Sequence, residues 1–296
     1  MLLNPADYTY QYFNQPRGTD GLSGPIHIAY PLKDGFCTVL VKDHSIRDAI
    51  NEYLGCNIGQ KIGVNTPRAW LFKAKNSRAK VKIRFSQAVG IEYLDGFDDH
   101  NPGLYETEEK TIQMIKGKLL HIMMGEYDRK ASLACFNGKI YAFDFAMGMY
   151  EESFGNGFLE FLKNVPAENG FTWYEKTILK HEVDSRRALV NLLEGSLQNG
   201  VPWKAISIAY SEVRDNMMRA YAENRFEDLV LEIEEVFSDS AGRYARALID
   251  STYNMIVDLP MREGEYYKTE DGVLLAKAPT EEEMKAMIKG RANAKK

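Results

Sequence analysis

Two aspartates bracket a short hairpin in the middle of this chain. In the stretch Glu126-Tyr-Asp-Arg-Lys-Ala-Ser-Leu-Ala-Cys-Phe-Asn-Gly-Lys-Ile-Tyr-Ala-Phe-Asp-Phe-Ala146, Asp128 closes an apolar-periodic helix and Asp144 falls where a second strand ends. Leu133 to Phe136 and Lys139 to Phe143 read as the two strands, joined at Asn137-Gly138, a dipeptide suited to the positive φ angles of a tight hairpin turn,. A hairpin returns the chain to its starting end, so both carboxylates face one spot. Phosphoryl transfer asks for such a pair, one carboxylate near an incoming hydroxyl and another to hold a metal on the phosphates. The neighbours of Asp144 are apolar, and an unpaired carboxylate is expensive to bury among them, so a metal or a lysine partner is expected there,.

The elements that must position these groups divide into a strand-rich front and a helix-rich back. Pro25 to Tyr30 and Gly35 to Lys42 alternate as strands around the turn Lys33-Asp34-Gly35,. A helix follows from about Ser45 to Ile62, with Ser45 as N-cap, Ala49, Ile50, Tyr53, Leu54 and Ile58 on one face, and Gly63 as its stop,. Further strands are expected at Ala69 to Lys73, Val81 to Phe85 and Val89 to Leu94. From Thr107 the pattern turns helical, with Ile112, Ile115, Leu119 and Ile122 or Met123 on one side, and long helical segments follow near 175–199, 203–223, 225–237 and 240–258,. The divisions expected are 1–95, a sheet with one helix; 96–259, a helical part holding the hairpin; and 260–296, a polar tail. In the tail a capping box at Thr280 to Glu283 opens a short Lys-rich helix, expected to be a mobile appendage,.

Composition narrows the function classes. The 296 residues, 45% of them hydrophobic, can bury a core large enough for two lobes,. A net charge of −5 argues against an extended nucleic-acid footprint, and the basic run from Lys73 to Arg84 reads more simply as a solvated loop and strand face,. Cys37, Cys56 and Cys135 are odd in number and far apart, which suggests neither a disulfide framework nor a zinc site and fits a reducing cytoplasm,. There is no apolar run of membrane-spanning length and no N-terminal signal pattern, so neither secretion nor a membrane partner is expected,. The five histidines, His27, His44, His100, His121 and His181, have no mutual spacing suited to a metal, and His121 reads as a packed core residue,. Asp98-Asp99 reads as a solvated loop, and neither a Gly-x-Ser-x-Gly elbow nor a Gly-x-x-x-x-Gly-Lys-Ser/Thr loop is present,.

The segment Leu40-Val-Lys42, then Asn51-Glu-Tyr53 on the following helix, then Ile62-Gly-Val-Asn-Thr-Pro67, resembles the amino-terminal half of HipA-like kinases, a family related to phosphatidylinositol kinases and more distantly to protein kinases. The likeness covers roughly residues 20–150 as an ordered set of short motifs, whose order carries the weight. It implies an α+β, two-lobed protein-kinase-like fold with a strand-rich N-lobe and a helical C-lobe. It also implies ATP and magnesium as cofactors, and a protein serine or threonine as acceptor. Lys42 would reach the α- and β-phosphates, Glu52 would hold Lys42 as an ion pair, and Asp144 would bind metal. Ser23 and Gly24 fall where a phosphate-covering loop belongs, since glycine lets backbone N–H groups approach an anion. The backbone of Glu92, Tyr93 and Leu94 would meet the adenine edge where the lobes join.

Asp128 lies in Asp128-Arg-Lys-Ala-Ser-Leu133, similar to the family's catalytic loop, and could accept the proton of a substrate hydroxyl,. The pattern is broken twice. Lys130 stands for the usual histidine and could supply charge to a transferring phosphoryl group; Leu133 stands for an asparagine that would help hold metal, and leucine coordinates nothing. The leading expectation is an ATP- and magnesium-dependent kinase. The alternatives are a catalytically inactive kinase fold kept as a binding or regulatory module, a nucleotidyl transferase on the same fold, and a structural protein with no nucleotide site. The last would follow if Lys42 and Asp144 stood more than about 10 Å apart.

Overall fold

The computed structural model describes residues 2–13, 26–73, 83–96, 107–125, 132–146 and 201–257, together with two short strands at 266–268 and 274–276. Their architecture is mixed α/β, an antiparallel sheet backed by helices. Strands β1 (Tyr8–Tyr12), β2 (Ile26–Pro31), β3 (Val39–Asp43), β4 (Ala69–Leu71) and β5 (Ala88–Glu92) form a five-stranded sheet in the order β1-β2-β3-β5-β4, every neighbouring pair antiparallel. The 16-residue helix α1 (Ile46–Lys61) connects β3 to β4.

Helix α1 begins and ends where its residues dictate. The Ser45 hydroxyl accepts from the Asp48 amide, Asp48 sits in the first turn and Lys61 in the last, both suited to the helix dipole,. At the other end Gly63 takes φ 77°, the Val64 amide donates to the Gly59 carbonyl and the Gly63 amide to the Gln60 carbonyl. That is a Schellman close, which needs a residue free to enter the left-handed region. Ala49, Ile50, Tyr53, Leu54 and Ile58 are all buried.

Register determines what each sheet face carries. Opposed residues of an antiparallel pair share a face, and Leu40 opposes Ile91 while Lys42 opposes Val89,. Val89 and Ile91 belong with Ile50, Tyr53 and Leu54 to a core that runs from the sheet through α1 into the back helices. The opposite face closes over a separate, smaller cluster of Leu3, Tyr8, Ala29, Val39, Val41, Phe72, Ile83, Phe85 and Ala88. We call these the α1 face and the outer face.

Behind α1 lie helix α2 (Glu108–Met123), the hairpin β6 (Leu133–Phe136) and β7 (Lys139–Ala142), then helices α3 (Trp203–Ala222), α4 (Glu227–Val236) and α5 (Asp239–Val257). Hydrogen bonds tie α1 to this layer: the Tyr244 hydroxyl donates to Asn51 Oδ1 at 2.6 Å, Tyr53 donates to Glu232 at 2.9 Å, and Asn216 donates to the Ile62 carbonyl at 3.1 Å.

Three local expectations change. The alternation of Tyr8, Tyr10 and Tyr12 marks a strand, β1, beyond those read from the sequence. Val81 to Phe85 is not a strand over its described part: Ile83 and Phe85 are buried in the outer cluster, but a turn of 3₁₀-helix at Phe85–Gln87 sends the chain into β5. The tail carries paired strands β8 (Tyr266–Lys268) and β9 (Leu274–Ala276), with β9 against α3; the capping box at Thr280 and the helix expected near 175–199 lie outside the described residues.

Candidate functional site

Lys42 leaves the α1 face of β3 and meets two carboxylates. Its Nζ lies 3.3 Å from Glu52 Oε1 and 2.9 Å from Asp144 Oδ1. Glu52 comes from the second turn of α1, on the side turned to the sheet, and is fully buried. The Lys42 side chain is 13% exposed and that of Asp144 49%, so the cluster is closed at its floor and open at Asp144.

The charges hold one another in place. Burial alone would lower the Lys42 ammonium, but the Glu52 and Asp144 carboxylates outweigh it and raise its pKa above the ordinary lysine value. Lys42 is likewise the main cause that depresses Asp144, against the opposing effect of burial. Glu52 shifts the other way. Its burial raises it, and the nearby Asp144 charge adds to that, while Lys42 and the Ala146 amide pull it back,.

Asp144 is delivered by the hairpin. Asn137 and Gly138 take φ 49° and 76°, the positive angles expected at that turn,. The Ala142 amide donates to the Asn65 carbonyl at 2.9 Å and the Asn65 side chain donates to the Ile140 carbonyl at 3.1 Å, which fastens the hairpin to the loop after α1. Gln113 of α2 accepts from the Ile140 amide at 2.8 Å. Asp144 itself sits at φ 63°, a left-handed conformation that costs a non-glycine residue energy and is kept where surroundings over-determine it,.

Phe145 supplies much of that determination. Its ring is fully buried, stacks on His121 at 4.5 Å between centroids, and fills the space left by Gly55. A Cβ on residue 55 would lie 2.3 Å from Phe145 Cγ. Burying a phenyl side chain contributes about 1.5–3 kcal/mol, so the residue after Asp144 is a strong anchor. His121, buried with Nε2 3.3 Å from the Ser132 carbonyl, is the packed histidine its sequence position suggests.

The other expected residues fall as follows. Glu92, Tyr93 and Leu94 leave β5 at one end of the sheet. The Glu92 amide donates to the Arg68 carbonyl and the Tyr93 amide to the Thr38 carbonyl, so both donors already serve the protein. The Glu92 side chain is held by Arg68, with Nη2 2.8 Å from Oε1. Beside them a cavity of about 520 Å³ is lined by Tyr30, Cys37, Thr38, Glu92, Tyr93 and Asp95. Thr38 and Tyr93 continue the alternation of Lys42 and Ile91, which puts them on the side of the sheet that carries Lys42,. Ser23, Gly24, Asp128 and Lys130 lie outside the described residues. Leu133 points into the core, 8% exposed, against the backbone space at Gly117.

Sequence reasoning passed over His44 and Gly55. His44 is two residues beyond Lys42, the strand spacing that would have flagged it. Gly55 reads as a weak helix residue until its partner, Phe145, is known.

No protein-family model matches this chain, and no curated protein matches it. Among solved structures it is similar to the crystal structure of a Helicobacter pylori proinflammatory kinase, CtkA, with a TM-score of 0.48 and 11% identity over 84% of this chain and 94% of that one. At that level of likeness no residue role passes from one chain to the other. Among the described residues no helix is long and apolar enough to cross a membrane.

Proposed function

We propose that this chain is a phosphotransferase built on a two-lobed, kinase-like fold of the HipA type, using ATP and magnesium and passing the γ-phosphoryl group to a hydroxyl. The observation that carries the reading is the joining of Lys42, Glu52 and Asp144 within 3.3 Å contacts, across sequence separations of 10 and 102 residues. A lysine held between a buried and an exposed carboxylate is equipped to exchange the exposed one for phosphate oxygens while the buried one keeps it aimed. The cavity at that end of the sheet, lined by Thr38 and Tyr93 from the Lys42 side and by Cys37 and Glu92 from the other, offers room for a base at the sheet's edge.

Magnesium fits the donor set in a limited way. Among the described residues no group of three His, Cys, Asp or Glu could hold a metal, but a nucleotide-bound magnesium takes one or two carboxylates and completes its shell with phosphates and water. Asp144, half exposed with one oxygen on Lys42, can serve as such a carboxylate. When bound, the ion neutralises charge on the phosphates. Lys42 binds the α- and β-phosphates, Glu52 orients Lys42, Asp128 accepts the hydroxyl proton, and Lys130 supplies positive charge near the transferred group. A protein serine or threonine in the cytoplasm is the acceptor most in keeping with the resemblance.

Leu133 favours a second reading, a catalytically inactive module that binds nucleotide or a partner. Its side chain is packed in the core where the resemblance calls for a polar metal-holding residue. The two separate on incubation with magnesium and ATP labelled at either the α- or the γ-phosphate, together with Asp128→Ala and Asp144→Ala. Label from the γ position on protein, absent in both variants, is expected for a kinase. Label from the α position would mean nucleotidyl transfer, and no transfer with an ATP-induced thermal shift would favour the binding module.

A further inference from the structure

The charge cluster leaves one buried group without employment. The His44 amide donates to the Gln87 carbonyl at 3.3 Å, which carries the β3–β5 ladder one step past Asp43. Strand alternation therefore sends residues 40, 42 and 44 to one side of the sheet. The His44 ring is 1% exposed, and neither of its nitrogens has a hydrogen-bond partner among the described residues. It lies within electrostatic reach of both Lys42 and Asp144. An imidazole always carries at least one N–H, and a buried donor with no acceptor forfeits the hydrogen bonds that water would give it. Immediately after it, Ser45 caps the positive end of α1,.

We propose that His44 is a further binding residue of the cleft, donating its ring N–H to an oxygen of the phosphate chain that Lys42 holds. The inference rests on the phosphotransfer reading and adds to it a second protein contact to the phosphates. The oxygen reaches the ring as Lys42 leaves Asp144 for the ligand, because in the closed cluster the imidazole is covered. Burial, with the Lys42 charge behind it, pushes His44 down to about 3, so the ring is neutral and offers a single N–H. The nitrogen left over is then an acceptor. His121 shows the contrast: equally buried and near the same aspartate, it has the Ser132 carbonyl at one nitrogen and an aromatic ring against its face.

The test compares the full chain with His44→Phe, which keeps bulk and removes the donor, and His44→Gln, which keeps an N–H. Titration calorimetry with magnesium–ATP and with adenosine is the first readout. His44→Phe is expected to weaken ATP about tenfold, the fold-change that corresponds to one hydrogen bond to a charged group, while adenosine binding is unchanged and His44→Gln recovers most of the loss. The second readout needs no folded variant: in wild-type protein labelled with ¹⁵N-histidine, one ring N–H resonance should move with ATP and stay with adenosine. Equal loss for both ligands, no loss, or a ring signal indifferent to ATP would overturn the role of His44. Wild-type protein that binds no ATP at all would overturn the phosphotransfer reading and this inference with it.

Discussion

The two faces of the five-stranded sheet treat adjacent residues of β3 in opposite ways. Asp43 points to the outer face, where it is 8% exposed and meets Arg84, whose side chain is 69% exposed. Lys42 points to the α1 face, where its partners come from α1 and from beyond the β6–β7 hairpin and one of them is fully buried. The outer pair decorates the rim of a small closed cluster, with a partner that water can replace. The inner cluster sits within the main core, and its partners converge from distant parts of the chain. Buried ion pairs are weak contributors to net stability but expensive to break, so the α1 face holds a structure that invites rearrangement only when a ligand offers replacement contacts.

That contrast breaks most sharply at Glu52. Glu52→Ala removes the buried acceptor and leaves Lys42 with Asp144 alone; a loss of about 3 kcal/mol is expected in urea denaturation. A loss below about 1 kcal/mol would mean that the inner cluster behaves like the outer one. Gly55→Ala comes next. The added methyl collides with Phe145, and overpacking of this kind costs about 1–3 kcal/mol,. In a Phe145→Ala background the added methyl has room, so Gly55→Ala should cost less there than in wild type, a coupling that a double-mutant cycle will read,.

The pH response follows from His44. Its folded pKa of about 3 lies below the unfolded value of 6.5, so as pH falls the unfolded chain takes a proton that the folded chain refuses. Its stability contribution is present above pH 6.5 and is lost on acidification toward 3, with a slope approaching about 1.4 kcal/mol per pH unit. His27, lowered chiefly by burial, acts in the same direction. Denaturation at stepped pH between 6 and 5 should show this fall in wild type and a flatter line in His44→Phe. The smallest effect belongs to the outer face: Arg84→Ala should cost no more than about 1 kcal/mol, because solvent screens the exposed guanidinium, and it should leave nucleotide binding unchanged.

Much of the front of the molecule could be read from local chemistry. Ser45 and Gly63 bound α1 because capping is a property of neighbouring residues, and Lys42 reaches Glu52 because a strand end and the second turn of the next helix are close by construction. The Asn137-Gly138 hairpin was readable for the same reason. Tyr8, Tyr10 and Tyr12 alternate with polar residues and carry a strand signal of the same local kind,. The stretch Val81 to Phe85 misled because burial of Ile83 and Phe85 at alternate positions mimics a strand where the chain is turning. Gly55 was opaque for a different cause: it acquires meaning from Phe145, on the far side of the hairpin, and no local pattern encodes that meeting, whereas the spacing of His44 from Lys42 puts it on the same face but does not bring Asp144 to it.

Asn65 gives the site a mechanical character. It follows the close of α1 by two residues, and through its carbonyl and its side chain it grips Ala142 and Ile140 of the strand that ends just before Asp144. The end of the helix that carries Glu52 and the root of the loop that carries Asp144 therefore share one joint. A displacement at this end of α1 would have to carry that strand with it or break two hydrogen bonds, so the helix that holds Glu52 and the strand that leads to Asp144 are riveted at a single residue.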